Sequence, residues 1–116
     1  MPRLLLIVDD EPIILKALSR ALTRRGFDVV TARDGAHALE LLERLAPHAV
    51  ISDYSMPGMD GEALLAEVKV RAPDARRFLL TGYAPAQPTA SGDRALLCKP
   101  WDDDELAATL RAALPT

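Results

Sequence analysis

The stretch LLLIVDDEP (residues 4–12) decides the fold class of this chain. Its first five residues are apolar without interruption, which is typical of a strand buried on both faces of a sheet. Three acidic residues follow directly, and Pro12 then stands where the first turn of a helix tolerates proline. The stretch therefore predicts a buried strand, a turn rich in carboxylates and the start of a helix.

Strand-like and helix-like patterns alternate along the rest of the chain. Apolar runs typical of strands recur at residues 27–31, 49–52, 78–80 and 95–98. Stripes of apolar residues at helical spacing cover residues 14–22, 38–45, 64–68 and 106–114. Such alternation predicts a parallel sheet with helices on both faces and right-handed crossovers. We expect a single α/β domain over residues 1–116, with a flavodoxin-like, doubly wound sheet of five parallel strands.

The polar residues that follow the strands predict the strand order. Ligands of open α/β sheets bind at the carboxyl ends of the strands. Asp9 and Asp10 follow strand 1, and Asp53 follows strand 3. Thr81 ends strand 4, and Lys99 follows strand 5. The order 2-1-3-4-5 would bring the three aspartates together at the switch point of the sheet.

Carboxylates grouped in this way point to metal and phosphoryl chemistry. Close carboxylates repel one another, so the group needs a cation or protonation at neutral pH. Mg²⁺ prefers oxygen ligands of this kind, and an aspartate can attack phosphorus to form an aspartyl phosphate. The Lys99 ammonium and the Thr81 hydroxyl would neutralise and hydrogen-bond a phosphoryl group, and Gly82 would leave room beside it. Each residue alone has an ordinary structural explanation, but their joint placement favours the phosphoryl site.

Composition limits the classes of function. The 116 residues carry a net charge of −3, which speaks against a nucleic-acid surface spread over the whole domain. The single cysteine, Cys98, excludes an internal disulfide and suits a reducing compartment. The first apolar run is too short for a signal peptide or a membrane span. We expect a cytoplasmic protein without direct nucleic-acid or membrane contact.

The connection between strands 4 and 5 is unusual. It covers residues 82–93, near the lower length limit for a parallel crossover, and contains Pro85, Pro88 and Gly92. Inside a helix a proline costs about 3 kcal/mol and a glycine about 1 kcal/mol. We predict that helix 4 is shortened to a turn at most or replaced by a loop. The motion of Thr81 would then pass into a loop rather than a helix.

Four motifs together resemble the receiver domain of two-component response regulators, of the chemotaxis-regulator type. They are Ile7–Pro12 (IVDDEP), Ser52–Gly61 (SDYSMPGMDG), Thr81–Gly82 and Lys99–Pro100. The resemblance covers essentially the whole chain. It implies a phosphorylation-operated switch rather than a turnover enzyme. The phosphoryl group would come from a histidine kinase or phosphotransfer protein, and the switch would control an output domain, attached or separate.

The resemblance also implies a role for each site residue. Asp53 would be the phospho-acceptor. Asp9 and Asp10 would bind Mg²⁺ together with Asp53 and the backbone carbonyl of Ser55, with Asp10 the more direct ligand of the pair. Lys99 would pair with Asp53 and then with the phosphoryl group.

Further positions would control the switch and its lifetime. The Thr81 hydroxyl would move onto a phosphoryl oxygen, and the peptide bond before Pro100 would be cis. Leu96 stands where relatives carry the aromatic residue that is coupled to this threonine, and we interpret Leu96 as a core residue. Tyr83 and Ser55 occupy the positions at which relatives tune the access of hydrolytic water.

Two other classes of function stay open on the sequence. One is an interaction module that is never phosphorylated, which would not need the whole acidic set. The other is a phosphatase of the haloacid-dehalogenase type, which also forms an aspartyl phosphate with Mg²⁺. That class needs its nucleophile in a DxD-type motif after strand 1, where this chain has the adjacent pair Asp9 and Asp10. Steady hydrolysis of small phosphate esters would favour the phosphatase.

Overall fold

The computed structural model describes residues 3–82 and 94–114. The strands of these residues are β1 (Leu4–Val8), β2 (Asp28–Ala32), β3 (Ala49–Asp53), β4 (Arg76–Thr81) and β5 (Arg94–Cys98). The helices are α1 (Pro12–Arg24), α2 (Gly35–Leu42), α3 (Gly61–Arg71) and α4 (Asp103–Ala113). The elements lie within a few residues of the predicted patterns. The predicted shortening of the crossover helix between β4 and β5 concerns residues 83–93, which lie outside the described residues, and this helix is distinct from α4.

The strands form one parallel sheet in the order β2-β1-β3-β4-β5. This confirms the predicted flavodoxin-like α/β fold and its strand order. Val8 lies beside Ala32 of β2 on one side and beside Ser52 of β3 on the other. Because the strands are parallel, Asp9 and Asp53 leave the sheet at the same edge.

Side chains of the strands alternate between two apolar cores. Leu5 of β1 belongs to the core that α1 and α4 cover, together with Leu18 and Leu110. The next residue, Leu6, belongs to the core that α2 and α3 cover, together with Leu64. Burial of each such side chain contributes about 1.5–3 kcal/mol. The two cores therefore hold the strand ends that carry the polar residues from both sides.

Aspartates begin two of the helices next to the site. The Asp60 side chain accepts a hydrogen bond from the backbone N–H of Ala63 at 2.8 Å, and α3 begins there. The Asp102 side chain accepts from the N–H of Glu105 at 2.9 Å and caps α4. These bonds satisfy N–H groups that have no partner inside the helix. Both helices consequently start close to the carboxyl edge of the sheet.

Leu96 is 37% exposed, so the expectation that it belongs to the core is wrong. In the register of β4 and β5 it lies beside Leu79, on the face that α3 covers. However, α3 contacts β3 and β4, and β5 lies one strand further out at the sheet edge. Leu97 belongs to the opposite face and is buried in the core of α1 and α4. The apolar run of β5 is therefore buried on one face only.

No helix among the described residues is both long and apolar enough to cross a membrane.

Candidate functional site

The predicted site residues meet at the carboxyl edge of the sheet. Asp9 follows β1, Asp53 ends β3, Thr81 ends β4 and Lys99 follows β5. Asp9, Asp53 and Thr81 are only 1%, 6% and 5% exposed. Buried polar groups of this kind need partners or a ligand, because their desolvation is costly. Strand topology thus assembles four residues that are far apart in the sequence.

The Lys99 ammonium lies between two carboxylates. Its Nζ donates a hydrogen bond to Asp53 Oδ1 at 2.8 Å and lies 3.7 Å from Asp9 Oδ2. Burial opposes its charged form, but the bond and the attraction to Asp53 outweigh this effect, with help from Asp9 and Glu11. The pKa of Lys99 is therefore raised, and the ammonium stays charged at the site.

The two oxygens of Asp9 have different surroundings. Oδ1 accepts a hydrogen bond from the backbone N–H of Glu11 at 2.9 Å. Oδ2 is buried and has no hydrogen-bond partner among residues 3–82 and 94–114. Burial is the largest influence on this carboxyl and raises its pKa, and repulsion from Asp53 and Asp10 adds to the effect. The bond from Glu11 and the attraction of Lys99 offset only part of it. Asp9 is thus a buried carboxylate whose ion-pair partner, the Lys99 ammonium, lies 3.7 Å from Oδ2 and forms no hydrogen bond with it.

The aspartates fit a divalent cation. Oxygens of Asp9, Asp10 and Asp53 lie within 4.8 Å of one another. Asp10 is exposed, whereas the other two are buried, so the group opens to solvent on one side. A hard ion such as Mg²⁺ takes one or two carboxylates and keeps several waters, which suits an open group of this kind. The unpartnered Asp9 oxygen is the feature that such an ion would satisfy.

The remaining predicted residues surround this group. The backbone N–H of Lys99 donates to the Thr81 carbonyl at 2.8 Å, which joins the ends of β4 and β5. The peptide bond between Lys99 and Pro100 is cis, the geometry that the resemblance implied. Ser55 is exposed in the loop after Asp53. Tyr83 lies outside the described residues.

Gly61 supports the site, a role that its place at the end of the motif Ser52–Gly61 did not predict. A Cβ atom at this position would overlap the backbone carbonyl oxygen of Asp53 and meet Leu79 Cδ1 at 2.7 Å. The Gly61 N–H also donates to the carbonyl of Tyr54 at 2.9 Å. The first turn of α3 therefore packs directly on the backbone that carries Asp53. A glycine immediately after the helix cap Asp60 was the available signal.

Fold and site together define a class of protein, the flavodoxin-like α/β domain with aspartates and a lysine at the carboxyl edge of its sheet. Over residues 5–111 the chain matches the family described as "Response regulator receiver domain". The chain belongs to this family of two-component signalling domains. Receiver domains bind Mg²⁺ at an acidic aspartate pocket, and they act as signalling domains rather than as turnover enzymes.

Individual relatives agree with the family. The chain is 39% identical over 117 residues to the transcriptional regulatory protein GlrR of Escherichia coli, covering 97% of this chain and 26% of that protein. It is 29% identical to the chemotaxis response regulator CheY4 of Vibrio cholerae, with a TM-score of 0.89 and coverage of 98% and 100%. It is 31% identical to TrrA from Thermotoga maritima, solved with Mg²⁺-BeF, with a TM-score of 0.86 and coverage of 97% and 99%. The chain spans about a quarter of the length of the first of these relatives.

The raised pKa of Asp9 predicts how stability depends on pH. A carboxyl whose pKa is higher in the folded than in the unfolded state favours folding fully only below its unfolded pKa, at about pH 4. That contribution is lost as the pH rises through the folded-state pKa. We expect Asp9→Asn, which cannot ionise, to be more stable than the native chain at pH 7 in EDTA, and to lose this advantage below about pH 4. Urea unfolding between pH 3.5 and pH 8 measures the difference.

Mg²⁺ and an exposed aspartate provide the controls for this prediction. Mg²⁺ at a hundred times its Kd should stabilise the native chain by about 2.7 kcal/mol and Asp9→Asn much less. Asp28→Asn, at an exposed aspartate of β2, should leave the pH profile unchanged. Equal stability of native and Asp9→Asn protein across this pH range would contradict the assignment.

Proposed function

We propose that this chain is a phosphorylation-operated signalling switch. Asp53 accepts a phosphoryl group from the phosphohistidine of a histidine kinase or phosphotransfer protein. The observation that carries the proposal is the Lys99 ammonium, 2.8 Å from Asp53 Oδ1 and next to the unpartnered buried oxygen of Asp9. A single ion pair in a protein core would not need this second carboxylate, which raises the electrostatic cost of the site.

The proposed transfer uses Asp53 as the nucleophile. One of its carboxylate oxygens attacks phosphorus, the bond from phosphorus to the histidine nitrogen breaks, and the electron pair leaves with the imidazole. Lys99 moves from the carboxylate to a phosphoryl oxygen, and the Thr81 hydroxyl donates to another. Water later hydrolyses the aspartyl phosphate and returns the switch to its first state.

The metal ligands in this proposal are Asp9, Asp10, Asp53 and the backbone carbonyl of Ser55. Bound Mg²⁺ would neutralise the negative charge of the phosphoryl oxygens. Asp9 is held for this role by its hydrogen bond from the Glu11 N–H. Asp10, which is exposed, keeps the site open to the phosphoryl donor.

The end of β4 transmits the conformational change from the phosphoryl site to β5. When Thr81 moves onto the phosphoryl group, the end of β4 shifts beside its neighbour β5. In β5, Leu96 stands in place of the aromatic residue of relatives. Leu96 is partly exposed, so it has room to change its packing without opening the core. Tyr83 and Ser55 would set the access of water and thus the lifetime of the signal. The signal passes to an output domain, attached or separate.

The test is phosphorylation by a small donor. Incubation with Mg²⁺ and acetyl phosphate should add the mass of one phosphoryl group to the intact chain, with acetate as the leaving group. Asp53→Asn should gain none, because an amide does not attack phosphorus. Peptide mass spectrometry after borohydride reduction should place the modification on Asp53.

Asp60→Asn is the matched control for this experiment. Asp60 is an exposed aspartate that caps α3, and an asparagine also serves as a helix cap. This variant should be phosphorylated like the native chain. If the native chain binds Mg²⁺ but gains no mass, the proposed phosphorylation is wrong. The alternative function, an interaction module that is not phosphorylated, would then be favoured. Continuous release of phosphate from small esters at the same site would indicate a phosphatase.

A further inference from the structure

A groove lies between α1 and the outer edge of β2, which is the edge strand of the sheet next to β1. It encloses about 300 Å³ and is lined by Leu15, Lys16, Ser19, Arg20 and Thr31. Its floor is partly apolar, because Leu15 packs against the core of α1 and α4. Two hydroxyl groups and two cationic side chains complete the lining. None of these residues belongs to the phosphoryl site.

The charges of this groove are of one sign. Lys16 and Arg20 are four residues apart and therefore lie on the same face of α1, and Arg24 continues that face. The sequence of α1 contains no acidic residue. Among residues 3–82 and 94–114, no carboxylate forms an ion pair with Lys16 or Arg20. The groove is thus a basic surface on a chain whose net charge is −3.

The edge of β2 offers backbone hydrogen bonds to the same groove. The Asp28 N–H donates to the Arg3 carbonyl at 2.9 Å, and the Ala32 carbonyl accepts from the Asp9 N–H at 3.1 Å. These residues direct their backbone groups towards β1. Residues in between alternate, so Thr31 directs its N–H and C=O away from the sheet. An edge of this kind is a template for another extended chain.

We propose that the groove between α1 and β2 binds an extended acidic segment of a partner protein. The segment adds to the sheet as a strand beside β2, through hydrogen bonds to the backbone of Thr31. Alternate side chains of the segment point to the α1 face, where carboxylates meet Lys16 and Arg20. The aliphatic stems of these acidic side chains would contact Leu15 on the groove floor. This inference is independent of the proposed phosphorylation.

Two other anionic ligands fit this groove less well. A long nucleic acid carries negative charge along its whole length, so the net charge of −3 repels it more than a short acidic segment, and its backbone has no N–H groups to pair with the Thr31 carbonyl. A free phosphate needs convergent donors, whereas Lys16 and Arg20 are exposed side chains at an open rim. A strand satisfies both the backbone edge and the two cations. Charge and backbone together therefore select the acidic segment.

The probe is a fluorescent peptide of alternating Glu and Val, seven residues long, titrated against the whole chain at low ionic strength. We expect saturable binding by fluorescence anisotropy. Lys16→Glu combined with Arg20→Glu should weaken it by about tenfold or more, because both ion pairs become repulsive. Arg44→Glu combined with Arg76→Glu makes the same change of net charge at exposed arginines elsewhere and should change the affinity less than about twofold.

A second peptide, N-methylated at alternate backbone nitrogens, tests the strand without altering the protein. It keeps every charge but loses the donors that face β2, and we expect binding about tenfold weaker. Absence of saturable binding at millimolar peptide would overturn the proposal. So would equal loss of affinity in both charge-reversed variants, or equal binding of both peptides. A further contrary result is that inorganic phosphate or duplex DNA binds more tightly than the peptide and loses affinity in the Lys16→Glu, Arg20→Glu variant. That result would show that the groove does not bind an acidic segment as its ligand.

Discussion

Replacement of Lys99 by methionine is expected to slow phosphorylation of Asp53 by about a hundredfold, the loss typical of one preorganised donor to a developing charge. Methionine has a similar length and apolar stem but no charge. Without the ammonium, Asp53 Oδ1 loses its hydrogen bond of 2.8 Å, and the buried carboxylates of Asp9 and Asp53 face each other without the cation between them. The attack on phosphorus then lacks both orientation and charge neutralisation.

The rate of mass gain with acetyl phosphate and saturating Mg²⁺ measures this effect. Lys69→Met, at an exposed lysine of α3, makes the same chemical change away from the site and should react at the native rate. Circular dichroism should show that both variants are folded. A Lys99→Met rate within about threefold of the native rate, in the folded variant, would mean that Lys99 has only a structural role.

Replacement of Gly61 by alanine is expected to lower the free energy of unfolding by about 3 kcal/mol, the upper end for an overpacked position. The new Cβ would overlap the carbonyl oxygen of Asp53, and this oxygen belongs to the backbone at the end of β3. Leu79 Cδ1, at 2.7 Å, could move as the end of a side chain, but the carbonyl cannot move without shifting β3 or α3. We therefore also expect slower phosphorylation of Asp53.

Urea unfolding of the two proteins at pH 7 measures the loss of stability. Gly82→Ala is the matched control, because a Cβ at that position would meet no atom of residues 3–82 and 94–114 within 4 Å and its backbone does not require glycine. This control should unfold within about 0.5 kcal/mol of the native chain. If Gly61→Ala were as stable as Gly82→Ala, the close approach of α3 to Asp53 would be relieved at no cost, and the assigned role of Gly61 would fail.

The site could be predicted from the sequence because parallel topology leaves few choices. Once residues 4–8 are a buried strand, the residues after each strand must share one edge of the sheet. Asp9, Asp53, Thr81 and Lys99 could therefore be grouped without coordinates. The family resemblance added the role that is proposed for each residue. The cis bond before Pro100 came from that resemblance as well.

Other features depend on distances between elements, which no local pattern contains. Leu96 has an apolar neighbour on each side in sequence, yet its burial depends on whether a helix reaches the outermost strand of the sheet. Gly61 is needed because a helix turn touches a carbonyl eight residues earlier in the chain. The basic groove exists because α1 lies beside β2, the outermost strand at that end of the sheet, so that Arg20 and Thr31 line the same groove.

The sequence by itself determined the strand order and the cluster of aspartates with its lysine, since alternation and strand ends are properties of the chain. Only the tertiary structure decided which oxygen of Asp9 accepts no hydrogen bond and which cations form no ion pair within the described part of the chain. Whether a polar group is satisfied depends on what packing brings within about 3 Å of it. That distance is set by the whole fold, and residue order alone does not contain it.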